Sequence, residues 1–210
     1  YDRIEWSCIE QTMLQMGFDP RFVKWIMACV STVSFSFIIN GGCSGLVNAQ
    51  RGLRQGDPLS PYLFILVSEI LSAMITDKVE RGAFRGVSVA RGAPVLSHLL
   101  FADDSLVFCK ADKYQAQLLL SILSRYQNFS GQKVNTAKSS IFFSKNTSAA
   151  TQREVCAVFP GIQIQRSTRY LGMPLGIGKS KKEVFGFVTE AVRKKVVSWK
   201  NKFLTAAGRK

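Results

Sequence analysis

Apolar and polar positions change their period several times along the chain. Residues 2 to 16 repeat at helical spacing through Ile4, Ile9, Met13 and Met16 and stop at Gly17, and Pro20 opens a second helix through Phe22, Val23, Trp25 and Ile26. Residues 33 to 40 and 46 to 51 read as a hairpin around a loose, glycine-rich GGCSG turn. The loop RGLRQGD then leads to Ser60 and Pro61, which mark the start of a helix of about five turns ending near Gly82. FRGVSV and VLSHLLF read as strands, and residues 112 to 129 as an amphipathic helix through Tyr114, Leu118, Ile122 and Tyr126, closed by Gly131. SSIFFS follows as a strand, residues 147 to 159 as a short helix and RYLGMPLG as a tight strand-turn segment. From Lys179 onward, Val184, Val188, Val192 and Val196 return to helical spacing. Helices mixed with antiparallel hairpins predict an α+β fold.

Within this pattern HLLFADDSLVFCK, residues 98 to 110, sets Asp103 and Asp104 side by side between two apolar, strand-like runs. Ala-Asp-Asp-Ser has turn chemistry, so the segment predicts a β-hairpin with the aspartates at its tip. Asp is a common turn residue, and a structural turn accounts for the motif taken alone. A divalent cation site is the functional alternative, because two carboxylates on one tight turn can share a cation, whereas neighbours in a regular strand point to opposite faces.

RGLRQGDPLSPYLF, residues 51 to 64, holds a second group of chemically useful side chains. Gly52 and Gly56 permit close approach of backbone to a flat ligand, Gln55 offers both a donor and an acceptor, and Arg51 and Arg54 offer phosphate contacts. Taken alone, it reads at least as well as a helix-entry loop punctuated by Pro58 and Pro61.

Charge sharpens the picture. The 28 Lys and Arg against 14 Asp and Glu make the 210-residue chain +14, a field that favours a polyanion, nucleic acid first. Residues 179 to 210 alone carry ten Lys and Arg against Glu183 and Glu190, as expected of an arm gripping a phosphate backbone. A mean hydropathy of +0.09 fits a globular domain. The five cysteines are scattered with no C-x-x-C pair, and His98 is the single histidine, a pattern that excludes a zinc module and predicts a reducing, intracellular compartment. His98 reads as a packed or hydrogen-bonded residue. Residues 22 to 39 come nearest to a membrane span, but Lys24 and the Ser/Thr-rich switch to alternation make them a helix followed by a strand, so no membrane partner is expected.

YDRIEW, RGLRQGDPLSPYLFILVSEILS, HLLFADDSLVF, FSGQKVNTAKSSIFFS, RYLGMPLGIGKSKKEVF and VVSWKNKFLTAAGRK, in this order, closely resemble the reverse transcriptase domain of non-LTR (LINE-type) retrotransposons in a form common in plants. The resemblance implies a polymerase palm of antiparallel sheet and packed helices over residues 1–165, then a primer-grip turn and the start of a helical thumb over 166–210. It implies RNA-directed DNA polymerase activity on an RNA template, a DNA primer and deoxynucleoside triphosphates. Action on chromosomal DNA would place the protein in the nucleus.

The resemblance also implies a role for each matching residue. Asp103 and Asp104 match the family's metal-binding pair, which serves two Mg²⁺ ions roughly 3.5–4 Å apart. Carboxylates enclosed by apolar strands are costly without such cations. Gln55 and Gly56 match the loop against the incoming nucleotide and templating base, and Tyr1 the aromatic that crowds the ribose 2′ position. Lys138 falls near the family's lysine at the pyrophosphate leaving group, with a surface lysine as the alternative. Leu171 and Gly172 fall in the primer-grip turn. The family's third metal-binding aspartate lies five positions before the residue matched by Tyr1, where this sequence has no position. Asp2 matches a non-ligand, and Asp57 suits helix capping. The fingers, first palm strand and most of the thumb have no counterpart, so the 210 residues are expected to be a domain fragment, inactive in isolation. A non-catalytic nucleic-acid-binding remnant is the alternative.

Overall fold

Two helices open the chain, α1 (Trp6–Gln15) and α2 (Pro20–Ser31). The Asp19 carboxylate accepts from Arg21 N at 2.8 Å, and Pro20 supplies a preset first turn to α2. The helix expected from residue 2 begins only at Trp6, because the backbone before it is engaged elsewhere. Ile4 O accepts from Gly52 N at 2.8 Å, and Glu5 N donates to Ser130 O at 3.0 Å.

β1 (Ser34–Ile39) and β2 (Gly42–Asn48) form an antiparallel hairpin with a bulge between Phe35 and Phe37. Its turn is tight and sits at Asn40 and Gly41, with φ of 51° and 83°. Asn-Gly favours the left-handed backbone that a two-residue hairpin turn requires, so most of GGCSG runs on into β2 instead of forming the turn.

α3 (Ser60–Glu80) follows, with Ser60 as its first residue and not its cap. Asp57 organises the entry, its carboxylate accepting from Leu59 N at 2.7 Å. Leu63, Phe64, Val67, Leu71 and Ile75 form the buried stripe of α3. They share a core with Cys8, Ile9 and Met13 of α1 and Val23, Ile26 and Val30 of α2. Each fully buried side chain of this kind contributes roughly 1.5–3 kcal/mol. Burial also pushes the Cys8 thiol up to about 11.

The chain continues through β3 (Val87–Ser88), β4 (Val95–Leu96), β5 (His98–Phe101), β6 (Asp104–Val107), α4 (Lys113–Ser130), β7 (Ser140–Ile141), α5 (Ala149–Val158) and β8 (Gln163–Ile164). VLSHLLF thus splits at Ser97, whose carbonyl accepts from Phe108 N at 2.8 Å. Asp112 caps α4 through Gln115 N at 2.8 Å, and Gly131 ends it at a φ of 75°. SSIFFS shrinks to β7, which pairs parallel with β8, an arrangement the hairpin reading did not include.

Residues 1–165, 168–171, 173–175 and 181–200 are described by this computed structural model. They fall into two units, Tyr1–Ile164 and Gln165–Lys210. The second holds the hairpin β9 (Thr168–Tyr170) and β10 (Met173–Leu175) and the helix α6 (Lys181–Lys200). The fold is mixed helix and sheet, as expected for α+β. Its strands pair in twos among the described residues, antiparallel except for β7 and β8. No helix among the described residues is long and apolar enough to cross a membrane.

Candidate active site

The β5–β6 hairpin carries the two aspartates. Phe101 pairs with Asp104, so the turn consists of Ala102 and Asp103 alone, and Asp104 is the first residue of β6. Ala102 has a φ of 49°, a left-handed conformation that costs a non-glycine residue about 1–2 kcal/mol. Leu100 and Val107 pack against the core and fix the hairpin on the body of the unit. Asp103 and Asp104 are exposed, not enclosed by the apolar strands, so the cost of burial does not bear on them. Among the described residues neither carboxylate has a hydrogen-bond or ion-pair partner.

His98 anchors the base of this hairpin. Its Nε2 lies 3.0 Å from Ser72 Oγ on α3 and its Nδ1 lies 2.9 Å from Ser97 Oγ. Partial burial lowers the imidazole below its usual range, against the opposite pull of the Glu69 carboxylate. His98 is therefore the hydrogen-bonded residue that its place in the strand implied.

The N-terminal segment and the RGLRQGD loop come together. Tyr1 stacks on Phe64, with centroids 4.8 Å apart and planes 20° apart, and its carbonyl accepts from Leu53 N at 3.1 Å. Gly52, at a φ of 88°, lies so close that a Cβ there would meet Asp2 O at 2.8 Å. Trp6 Nε1 donates to Gly52 O at 2.8 Å. Gln55 Nε2 reaches Asp2 Oδ1 at 3.4 Å, and Gly56 has a φ of 86° with open space around it. Beside this loop a cleft of about 530 Å³ opens, lined in part by Asp2, Arg51, Arg54, Cys29 and Phe35.

Two positioning residues carry no signal in the hydrophobic pattern. Trp6 looks like an ordinary helix residue, yet its indole holds the loop. Gly131 reads as a helix stop, yet it also lies against the Arg3 carbonyl and the Glu5 side chain, where a Cβ would clash. The following segment is held by Tyr126, whose hydroxyl donates to Gln132 Oε1 at 2.8 Å and is pushed by burial up to about 12.

The other candidate residues lie apart from these contacts. Lys138 is exposed in a turn, its backbone N–H bonded to Asn135 O at 3.1 Å and to Asn135 Oδ1 at 3.2 Å. Leu171 is exposed between β9 and β10 at a φ of 50°, and Gly172 lies outside the described residues. Among the described residues no hydrogen bond or ion pair joins Asp103 or Asp104 to Tyr1, Gln55 or Lys138. Nor do three His, Cys, Asp or Glu residues gather there into a metal-binding group.

Residues 1–175 match the model of the reverse transcriptase (RNA-dependent DNA polymerase) family. An uncharacterized mitochondrial protein of Arabidopsis thaliana is 44% identical over 107 residues, which cover 51% of this chain and 87% of that protein. The retrovirus-related Pol polyprotein from the type-1 retrotransposable element R2 of Popillia japonica is 28% identical over 107 residues, 51% of this chain and 17% of the polyprotein. That from the type-2 retrotransposable element R2DM of Drosophila melanogaster is 28% identical over 138 residues, 66% of this chain and 12% of the polyprotein. The chain thus spans a small part of the Pol polyproteins it matches. With most of its length inside the family model, the chain belongs to the reverse transcriptase (RNA-dependent DNA polymerase) family, as a domain of the kind found in non-LTR retrotransposons.

Proposed function

We propose that the chain serves an RNA-directed DNA polymerase that adds deoxynucleoside triphosphates to a DNA primer along an RNA template. The observation that carries this reading is the pair Asp103 and Asp104, exposed and unpartnered among the described residues at the tip of the β5–β6 hairpin, in a chain of this family. Mg²⁺ takes oxygen ligands and is commonly held by one or two carboxylates together with substrate phosphates, and the two side chains fit that donor set. When bound, the metal would activate a primer hydroxyl and steady the nucleotide's phosphates.

Around that pair, Gln55 and Gly56 face the nucleotide and templating base, and Tyr1, backed by Phe64, limits the room at the ribose 2′ position. Lys138 serves the leaving pyrophosphate. Residues 1–165 act as the palm, and 166–210, with Leu171 and Gly172 at the primer-grip turn, begin the thumb. The Lys and Arg of this last segment hold the nucleic-acid backbone.

The 210 residues alone serve one metal better than two. Asp2 accepts from Gln55 and Asp57 from Leu59 N, and neither joins the Asp103–Asp104 pair in a metal-binding group among the described residues. This favours, as a second reading, a nucleic-acid-binding remnant without chemistry. A two-metal site short of one metal's main carboxylate would forgo several kcal/mol of transition-state stabilisation, at least about a thousandfold in rate.

The test is RNA-templated deoxynucleotide incorporation. The 210-residue chain should show none, whereas a chimaera with the corresponding upstream segment of the Popillia japonica polyprotein ahead of Tyr1 should show activity that Asp103→Asn abolishes. Incorporation that survives Asp103→Asn overturns the assignment. A folded, RNA-binding chimaera without activity establishes the remnant.

A further inference from the structure

We propose that the outer face of α2 is a track for single-stranded nucleic acid, leading to the cleft beside the RGLRQGD loop. The inner stripe of α2, Val23, Ile26 and Val30, is buried against the body. On the outside Phe18, Phe22 and Trp25 are 36%, 41% and 62% exposed, and Phe18 stacks on Phe22 with centroids 6.1 Å apart and planes 18° apart. Phe22 and Trp25, three residues apart on α2, share one face, and Phe18, just ahead of the helix cap, extends the row through its stack on Phe22.

The same face continues to Cys29, a further turn along, and Cys29 lines the cleft together with Phe35, Arg51 and Arg54. From Phe22 to Cys29 the helix rises about 10 Å. The aromatic row and the cleft are therefore one continuous surface within the first unit.

Charge selects the occupant. Arg21 and Lys24 are exposed on the flank of the row, and among the described residues neither is paired with a carboxylate. The Asp19 carboxylate nearby is engaged in capping the helix. Exposed rings flanked by cations suit nucleobases joined by phosphates. Duplex bases are stacked on one another and have no free faces for the rings, so the fit is to a single strand. The assignment of that strand as template rests on the polymerase reading; its binding does not, because oligonucleotide affinity is measured without catalysis.

The experiment is fluorescence anisotropy of labelled oligo(U) of about 20 nucleotides, and of a duplex of equal length, with the 210-residue chain and its variants. Phe22→Ala and Trp25→Ala should each weaken oligo(U) binding about tenfold while leaving duplex binding, carried by the basic C-terminal segment, unchanged. Trp25→Tyr, which keeps a stacking ring, should restore most of the affinity. Unchanged oligo(U) affinity in both alanine variants overturns the proposal. So does an equal loss for single strand and duplex, or loss of self-association in sedimentation with oligo(U) binding intact, which would make the face a protein contact.

Discussion

Tyr1 lies nearly flat on Phe64, ring centroids 4.8 Å apart, so α3 carries the aromatic that begins the chain. Phe64 is buried in the core while Tyr1 is 37% exposed, and the two sides of the stack should respond unequally to truncation. Phe64→Ala should cost about 3–4 kcal/mol and Tyr1→Ala about 1 kcal/mol or less, read from urea unfolding. Equal costs would mean that the ring of Tyr1 is held by something other than this stack.

Gly52 should be intolerant for two separable reasons. Its φ of 88° strains any other residue, and a Cβ would meet the Asp2 backbone at 2.8–3.0 Å. Gly17 has a φ of 84° with nothing within 4 Å, so it has the strain without the contact. Gly17→Ala should cost about 1–2 kcal/mol by thermal unfolding and Gly52→Ala at least about 1 kcal/mol more. Gly52→Ala should also raise the exposure of the Trp6 indole, measured by fluorescence quenching with acrylamide.

The tip of the aspartate hairpin stores strain at Ala102. Glycine there relieves the left-handed backbone but adds freedom to the unfolded chain, so Ala102→Gly should be neutral or stabilising by up to about 1 kcal/mol. Ala102→Val, with a branched Cβ at a φ of 49°, should destabilise by about 1–2 kcal/mol. Chemical denaturation of the pair against the parent checks the sign of both.

The hairpin was legible in the sequence because its signals are local: apolar runs around Ala-Asp-Asp-Ser state both strands and the turn. The helix start at Pro20 and the stop at Gly131 were legible for the same reason. At Asn40-Gly41 the signal was present, but the neighbouring glycines of GGCSG drew the turn away from it. What could not be read was the start of α1. The apolar spacing of Ile4 and Ile9 extends a helix back to Asp2, but Gly52 and Ser130, distant in sequence, take up the backbone of Ile4 and Glu5. Long-range hydrogen bonds of this kind leave no periodic trace, and neither does the indole of Trp6 on Gly52 O. Exposure of Asp103 and Asp104 was equally hidden, since the whole tip of the hairpin, Phe101 included, stands clear of the core.

His98 predicts a pH dependence with a definite sign. Its imidazole is lowered in the folded state from an unfolded value near 6.5, so the fold favours the neutral ring. That contribution is fully present above the unfolded pKa and is lost as the pH falls below about 6.5, where the unfolded chain binds the proton more readily. Stability measured from pH 7.5 down to 5.5 should fall for the parent and fall less steeply for His98→Gln. A parallel decline in both would assign the loss to other groups.

The central claim, that Asp103 and Asp104 hold a divalent cation, is tested most directly by Mn²⁺ as a paramagnetic stand-in for Mg²⁺ in nuclear magnetic resonance of the 210-residue chain. Binding should be weak, on the order of millimolar, because the two carboxylates leave most of the ion's coordination to water. The account predicts line broadening centred on the backbone amides of Ala102 to Ser105, strengthened by a deoxynucleoside triphosphate and lost in Asp103→Asn. Broadening centred elsewhere, or the same at the hairpin tip in Asp103→Asn as in the parent, would contradict it.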